Sequence, residues 1–300
     1  MSRVVDLEIF VEVVDQGSFT HAADRLGVSK SFVSKQISGL EDHLGVRLLN
    51  RTTRKIATTD AGLAFYERAR RILDDIDEAE RAVMQLNTAP RGTLKISAPM
   101  TFGLQYLTPI ATQFMCENEE LTIDMDFSDR QVDVIDEGFD LAIRIGSLAD
   151  SSFIAKKIAD IRLVVCASPQ YIERLGRPER PADLAAHKCM HYAYQASPNT
   201  WRFESRDGEV VHVAVEGRFR ANNGVALQEA ARRSLGICIL PDFIANEDLK
   251  RGTLVEILSE WMPENRAIWA LYPHNRHLSA KVRLFIDYLA EQLNPAPWVI

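Results

Sequence analysis

Residues 18–51 read Ser-Phe-Thr-His-Ala-Ala-Asp-Arg-Leu-Gly-Val-Ser-Lys-Ser-Phe-Val-Ser-Lys-Gln-Ile-Ser-Gly-Leu-Glu-Asp-His-Leu-Gly-Val-Arg-Leu-Leu-Asn-Arg. The pattern predicts two helices joined by a tight turn. Ala22 and Ala23 are small enough for close helix approach, Leu26 and Val28 flank Gly27, and Ser29 stands where it caps the second helix. On that helix Phe32 or Val33, Ile37, Leu40 and Leu44 recur at three- and four-residue steps and predict a buried stripe. Lys30, Ser31, Ser34, Lys35 and Ser38 fall elsewhere. Short, polar and cationic side chains suit a helix lying in a DNA major groove, where lysine meets guanine acceptors or phosphates and serine adapts to several base edges. Downstream, Leu48 to Thr58 reads as a short hairpin with Arg51, Arg54 and Lys55 at or near its tip, a wing able to grip the DNA backbone or enter the minor groove.

The charge distribution supports that reading. The 300-residue chain is acidic overall, net −7, which taken alone argues against nucleic acid. Between Arg25 and Lys55, however, seven cations stand against only Glu41 and Asp42. Basic charge is concentrated where a DNA contact needs it.

The run Ala-Ala-x-x-Leu-x-Val-Ser-x-x-x-Val-Ser-x-Gln-Ile-x-x-Leu-Glu-x-x-Leu-Gly-x-x-Leu-Leu-x-Arg-Thr, from Ala22 to Thr52, resembles the N-terminal signature of LysR-type transcriptional regulators. One departure stands out: the family most often carries arginine where this chain has Lys35, which makes a bidentate guanine contact less assured. A three-helix packing unit with no DNA role explains the apolar positions but not the cationic cluster. The resemblance implies a winged helix-turn-helix over 1–58, a dimerising linker helix over 59–88, a hinge over 89–93 and a two-lobed α/β effector domain over 94–300. That last domain resembles type II periplasmic solute-binding proteins. Lobe I is expected at about 94–161 and 267–300, and lobe II at about 162–266.

Each segment also has a reading of its own. The first helix, about Leu7 to Val14, is amphipathic and ends at Gly17. From Asp60 to about Leu86 there is no proline, and Phe65, Ala69, Ile72, Ile76, Ala79, Val83 and Leu86 alternate steps of four and three, a seam of three heptads. Such a stripe can be one face of a globular core. Charged residues crowd the remaining positions here, so pairing with a second copy is the expected solution, and the resemblance implies a dimer or a dimer of dimers on a pseudo-palindromic operator. Ala89-Pro90-Arg91-Gly92 breaks the helix. Strands then alternate with helices: strands at Leu94–Ala98, Leu121–Phe127, Leu141–Ile145, Leu163–Ala167, Val210–Val215, Ile237–Leu240 and Ala267–Tyr272, and helices near 104–116, 131–137, 170–175, 224–234, 242–249 and 280–293. This order predicts a mostly parallel α/β sheet in two lobes.

In open α/β sheets a ligand lies beyond the carboxyl ends of the strands, near helix N-termini whose free N–H groups attract anions. The rule selects Pro99, Met100, Thr101 and Phe102 after the first strand, Ser128 and Asp129 after the second, Arg144 to Ser147 after the third, and Asn222 and Asn223 at a helix entrance in lobe II. Thr101 reads equally as a helix cap, Arg144 as a partner of Asp140, and Trp201 as an aromatic wall or as core. The resemblance places effector contacts at similar loops, and the effector is expected to be small and anionic.

Other function classes find less support. Cys116, Cys166, Cys189 and Cys238 are widely spread without a Cys-x-x-Cys pair, which predicts reduced, mostly buried thiols rather than a disulfide framework or a zinc ribbon. His187-Lys-Cys-Met-His191 and His274-Asn-Arg-His277 lack the further ligands of a metal site, so surface or packing roles are expected. There is no Gly-x-Ser-x-Gly elbow, phosphate loop or dinucleotide fingerprint, and neither an enzyme nor a cofactor is expected. The start Met1-Ser2-Arg3-Val4-Val5-Asp6 meets charge at once, and no apolar run reaches membrane-spanning length, which points to the cytoplasm. A solute-binding protein without a DNA role is the alternative; it requires export and leaves residues 1–58 unexplained.

Overall fold

The computed structural model describes residues 3–51, 56–83, 89–130, 137–146, 154–195, 197, 199–263, 266–273 and 279–298. Several expectations lie outside this set: Arg54, Lys55, Leu86, nearly all of the 131–137 helix, Ser147, His274 and His277. The backbone of Arg51, Ala79 and Val83 is described, but not their side chains. The chain forms two compact units, Met1–Thr88 and Ala89–Ile300.

The first unit holds α1 (Arg3–Gln16), α2 (Phe19–Leu26), α3 (Lys30–Leu44), a hairpin of β1 (Leu49–Arg51) and β2 (Ile56–Thr58), and α4 (Asp60–Val83). Ser18 and Ser29 cap α2 and α3, each accepting a backbone N–H with its side chain. Gly27 ends α2 at φ 67°, a left-handed conformation that glycine adopts without a Cβ clash. The core joins Ile9, Phe10 and Val13 of α1 to Ala22, Ala23, Val33, Ile37, Leu48 and Leu49. Leu44, expected in the buried stripe, is instead exposed at the end of α3. Two contacts anchor the hairpin. The Glu41 carboxylate accepts the N–H groups of Leu48 and Leu49 at 2.9 and 3.1 Å. Thr59 accepts from Gly62 N at 2.9 Å and so starts α4. A Cβ on Gly62 would lie 1.9 Å from the Leu48 carbonyl oxygen, so glycine is what lets α4 lie against the hairpin strand.

In the second unit β3 (Gly92–Ala98) leads into α5 (Met100–Phe102), a π-helical turn (Gly103–Leu107) and α6 (Thr108–Glu117). β4 (Leu121–Phe127), β5 (Leu141–Gly146) and β6 (Ile154–Ile161) follow, and β7 (Leu163–Ala167) begins lobe II. Lobe II continues with α7 (Pro169–Leu175), a 3₁₀ turn (Pro181–Ala186), β8 (His191–Tyr192), β9 (Thr200–Ser205), β10 (Val210–Ala214), β11 (Arg220–Ala221) and α8 (Gly224–Arg232). It closes with β12 (Cys238–Pro241), α9 (Asp242–Arg251), β13 (Val255–Glu256) and β14 (Trp261–Pro263). β15 (Arg266–Tyr272) and α10 (Ala280–Gln292) return to lobe I, whose sheet has the order β4-β3-β5-β15-β6.

The expectation of mostly parallel strands is corrected. β3 runs parallel to β4 and β5, but β15 is antiparallel to both neighbours. In lobe II β7 lies antiparallel between β12 and β13, and β9 antiparallel between β10 and β14. The short connection between β9 and β10 imposes that direction on their pair. Cys166 and Cys238 face each other across β7 and β12, sulfurs 3.7 Å apart in hydrogen-bond contact and not joined by a disulfide.

Candidate functional site

The exposed face of α3 is assembled by its own cap. With Val33 and Ile37 buried, helical spacing leaves Lys30, Ser31 and Lys35 exposed and Ser34 half-buried. The Ser29 and Ser31 hydroxyls lie 3.0 Å apart at the helix entrance. The hairpin pairs Arg51 with Ile56, which brings the strand ends on either side of residues 52–55 together. A cationic, serine-rich helix face beside a β-hairpin is the arrangement that reads a major groove while a wing touches the flanking backbone.

In the linker helix, Phe65 packs edge-on against Phe10 at 5.3 Å and Ala69 is fully covered. The Tyr66 hydroxyl donates to Asp15 of α1 and accepts from Arg70. Phe65 therefore joins this unit's packing while staying half-buried, and Ala69 has no exposed surface left to offer a seam between chains. Ile72 is 46% exposed and Ile76 is half-buried, so the unpartnered stretch of the stripe begins at Ile72.

In the second unit the loops after β3 and β4 and the start of α8 converge. Asn223 caps α8, accepting Val225 N–H at 2.9 Å, while its amide nitrogen donates to Thr101 Oγ1 at 3.2 Å and Asp129 Oδ2 at 3.3 Å. Thr101 and Asp129 stand on lobe I and Asn223 on lobe II, so this triad fastens the cleft. Asp129 also accepts the Met100 N–H at 3.1 Å. The helix N-terminus expected to receive an anionic ligand thus already holds one of the chain's own carboxylates. Burial raises the Asp129 carboxyl above its ordinary range, partly offset by those two N–H donors and by Arg144.

Arg144 donates to Ser97 Oγ at 2.8 Å and to its own strand at the Ile143 carbonyl, and burial lowers its pKa against the pull of Asp126 and Asp129. It does not pair with Asp140, which accepts from Lys95 N and lies 3.7 Å from the Lys281 ammonium. Pro99 carries the turn into α5, its carbonyl accepting Gly103 N–H; Met100 and Asn222 are exposed; Ser128 Oγ accepts from Arg130 N.

Phe102, selected as an effector contact, is corrected to the core, and Trp201 takes the core alternative. Phe102 is fully buried among Tyr106, Phe243 and Trp298. Trp201 packs with Phe203 in the separate core of lobe II, where the alternation of β9 turns both rings inward. Sequence reasoning misses two groups of the cleft. The Tyr192 hydroxyl is pushed well above its ordinary range by burial and by Asp129, opposed by Arg266. Arg266 Nε is itself buried without a hydrogen-bond partner among the described residues. Tyr192 sits on a two-residue strand and Arg266 at a strand's first position, where periodicity gives no signal.

Comparison with known proteins decides the family. The LysR substrate binding domain matches residues 87–294, and the bacterial regulatory helix-turn-helix of the lysR family matches residues 4–63. The chain is a LysR-type transcriptional regulator. A Haemophilus influenzae HTH-type transcriptional regulator is 39% identical over 94% of this chain and 98% of that relative. Among solved structures, the full-length Vibrio cholerae virulence activator AphB is 31% identical with a TM-score of 0.60, covering 97% of this chain and 99% of its own. CrgA, a LysR-type regulator from Neisseria meningitidis, is 32% identical with a TM-score of 0.60 over 96% of this chain and 98% of its own. The regulator thus combines a DNA-binding helix-turn-helix with an effector-binding domain, and the alternative of a solute-binding protein without a DNA role has no support. No helix among the described residues is long and apolar enough to cross a membrane, and none of their His, Cys, Asp and Glu side chains group in threes that could hold a metal.

Proposed function

We propose that Lys30, Ser31, Ser34 and Lys35 of α3 read operator bases, that Arg51, Arg54 and Lys55 of the wing hold phosphates, and that a small molecule at the Thr101–Asp129–Asn223 junction sets how the dimer engages that operator. The observation that carries the reading is the single amide of Asn223, which fastens one lobe to the other and caps α8 at the same time. A ligand that takes over the hydrogen bonds of Thr101 or Met100 N–H releases that amide and shifts the lobes. Its anionic group competes with Asp129 for the Met100 N–H, and Arg144, already desolvated beside that carboxylate, supplies the counter-charge.

The regulator acts in the cytoplasm as a homodimer or a dimer of dimers, with Ile72, Ile76, Ala79 and Val83 in the seam, and it turns over no substrate. Mapping bound sites across the genome of its host yields the operator. A metabolite panel read by thermal shift, with hits confirmed by calorimetry and operator gel shift, then identifies the effector; a ligand at 100 times its Kd adds about 2.7 kcal/mol. An effector whose affinity is untouched by Thr101→Val and by changes at Ser128 and Asn223 places the sensing site elsewhere. Product formed from a panel compound would show an enzyme instead.

A further inference from the structure

Lobe II carries a half-open cavity of about 770 Å³ at the C-terminal end of α8. This is the opposite end of that helix from Asn223, some 13 Å along its axis at 1.5 Å per residue, so the cavity is separate from the cleft. Its volume suits a small organic ligand. Arg174, Lys188, Arg218 and Arg233 line it, and Glu216 is its one lining carboxylate. Four exposed cations around one cavity, in a chain of net −7, give this face a local positive field that attracts an anion.

Two of the four are already engaged. Arg233 pairs with Glu229 at 2.7 Å, and Arg174 donates to the Ser234 carbonyl at 3.2 Å while its guanidinium stands over the Tyr171 ring. Lys188 and Arg218 have no carboxylate partner among the described residues. The backbones that carry them are nevertheless held side by side. Cys189 N donates to the Glu216 carbonyl at 2.8 Å, and His191 N to the Phe219 carbonyl at 3.0 Å. A Cβ on Gly217 would fall 1.7 Å from the Cys189 carbonyl oxygen, so the two backbones are clamped side by side. On the other wall Ser234, at φ 60°, turns the chain and presents Leu235 to the cavity.

We infer that this cavity is a second ligand site of the regulator, one that takes a small multiply charged oxyanion, a polycarboxylate or a phosphate ester, between Lys188 and Arg218. Leu175 and Leu235, both on the cavity wall, receive its short apolar part. Ammonium and guanidinium donors on an oxyanion form the stronger, charge-assisted class of hydrogen bond.

The test is calorimetry and thermal shift on the full chain with citrate and with inorganic pyrophosphate, each against sodium chloride of equal ionic strength. Saturable binding of either anion is expected, about tenfold weaker in the Lys188→Gln/Arg218→Gln double variant and retained in Asn223→Ala. Citrate alone binding identifies a carboxylate site, and pyrophosphate binding identifies a phosphate site. The unliganded melting temperature controls for folding, and Arg218→Gln alone serves if the double variant unfolds. No binding beyond the chloride control, equal affinity in the glutamine variants, or loss in Asn223→Ala with retention in the double variant would each overturn the assignment.

Discussion

Asn223 and Asp129, on opposite lobes, share a hydrogen bond of 3.3 Å in which the amide donates to a carboxylate that burial makes costly to ionise. Asn223→Asp keeps an oxygen to cap α8 but sets a second carboxylate against Asp129. Like charges at that distance repel, so the lobes are expected to separate, visible as a larger radius of gyration of the isolated regulatory unit in small-angle scattering. Asn223→Ala removes latch and cap together and is expected to cost about 1 kcal/mol more in helix stability. An unchanged scattering profile for Asn223→Asp shows that this contact does not hold the cleft.

Contacts to bases and to phosphates leave different thermodynamic marks. Ser34→Ala or Lys35→Ala is expected to cost about 1–3 kcal/mol on the operator and little on random DNA. Arg54→Ala is expected to weaken binding to both and to reduce the slope of log K against log salt by about one. Filter binding over a salt series reads both effects, and equal losses on the two DNAs for the α3 variants would contradict their assigned role.

The helix-turn-helix is legible in the sequence because caps, turn glycines and apolar spacing agree over residues 18–51. The convergence of Thr101, Asp129 and Asn223 is legible for a different reason: the rule that ligands gather at strand carboxyl ends picks loops without needing strand directions. What the sequence conceals follows from position in the sheet. β6 carries Lys156 and Lys157 on an edge strand, where charge is favoured because it blocks further pairing, and such a strand reads as loop. β9 does carry a signal, since Trp201 and Phe203 alternate with polar residues, and that alternation identifies Trp201 as core. Phe102 fits the rule by position, yet Trp298, nearly 200 residues later, covers it.

Trp298 gathers the rings of Phe102, Tyr106 and Phe243, with centroids at 6.0, 4.9 and 5.9 Å, and its carbonyl accepts from Asn246 on α9. It therefore ties lobe II back to the helix that follows β3. Trp298→Ala is expected to destabilise the chain by about 3–5 kcal/mol in urea unfolding. Its indole N–H is buried without a partner among the described residues, so Trp298→Phe, which deletes that donor, is expected to recover most of the loss. A phenylalanine variant as unstable as the alanine one would show that the N–H has a partner.

His187 is buried, its Nδ1 3.3 Å from the Tyr171 hydroxyl, and desolvation lowers its pKa below the ordinary 6.5 against a smaller opposing pull from Asp183. The unfolded chain then takes up a proton at higher pH than the folded chain. The stability contributed by the neutral imidazole is fully present above pH 6.5 and is lost as pH falls through the folded-state value. An NMR titration is expected to place the His187 midpoint below 6.5, and His187→Gln to flatten the acid side of the stability profile. A midpoint above 6.5 would reverse the sign.

The linker helix separates two outcomes of one stripe. Ala69 is fully covered within one chain, whereas Ile72, three residues on, is 46% exposed. Ala69→Asp puts a charge at a fully covered position and is expected to unfold the DNA-binding unit whatever the oligomeric state. Ile72→Asp and Ile76→Asp put charge into the proposed seam, where desolvation without a neutralising partner costs several kcal/mol. They are expected to convert the regulator to monomers at micromolar concentration in sedimentation, with helical content in the first unit retained. Operator affinity falls with them, because one recognition helix then engages one half-site. If assembly survives both isoleucine variants, α4 does not mediate pairing and the oligomer is held through the regulatory units.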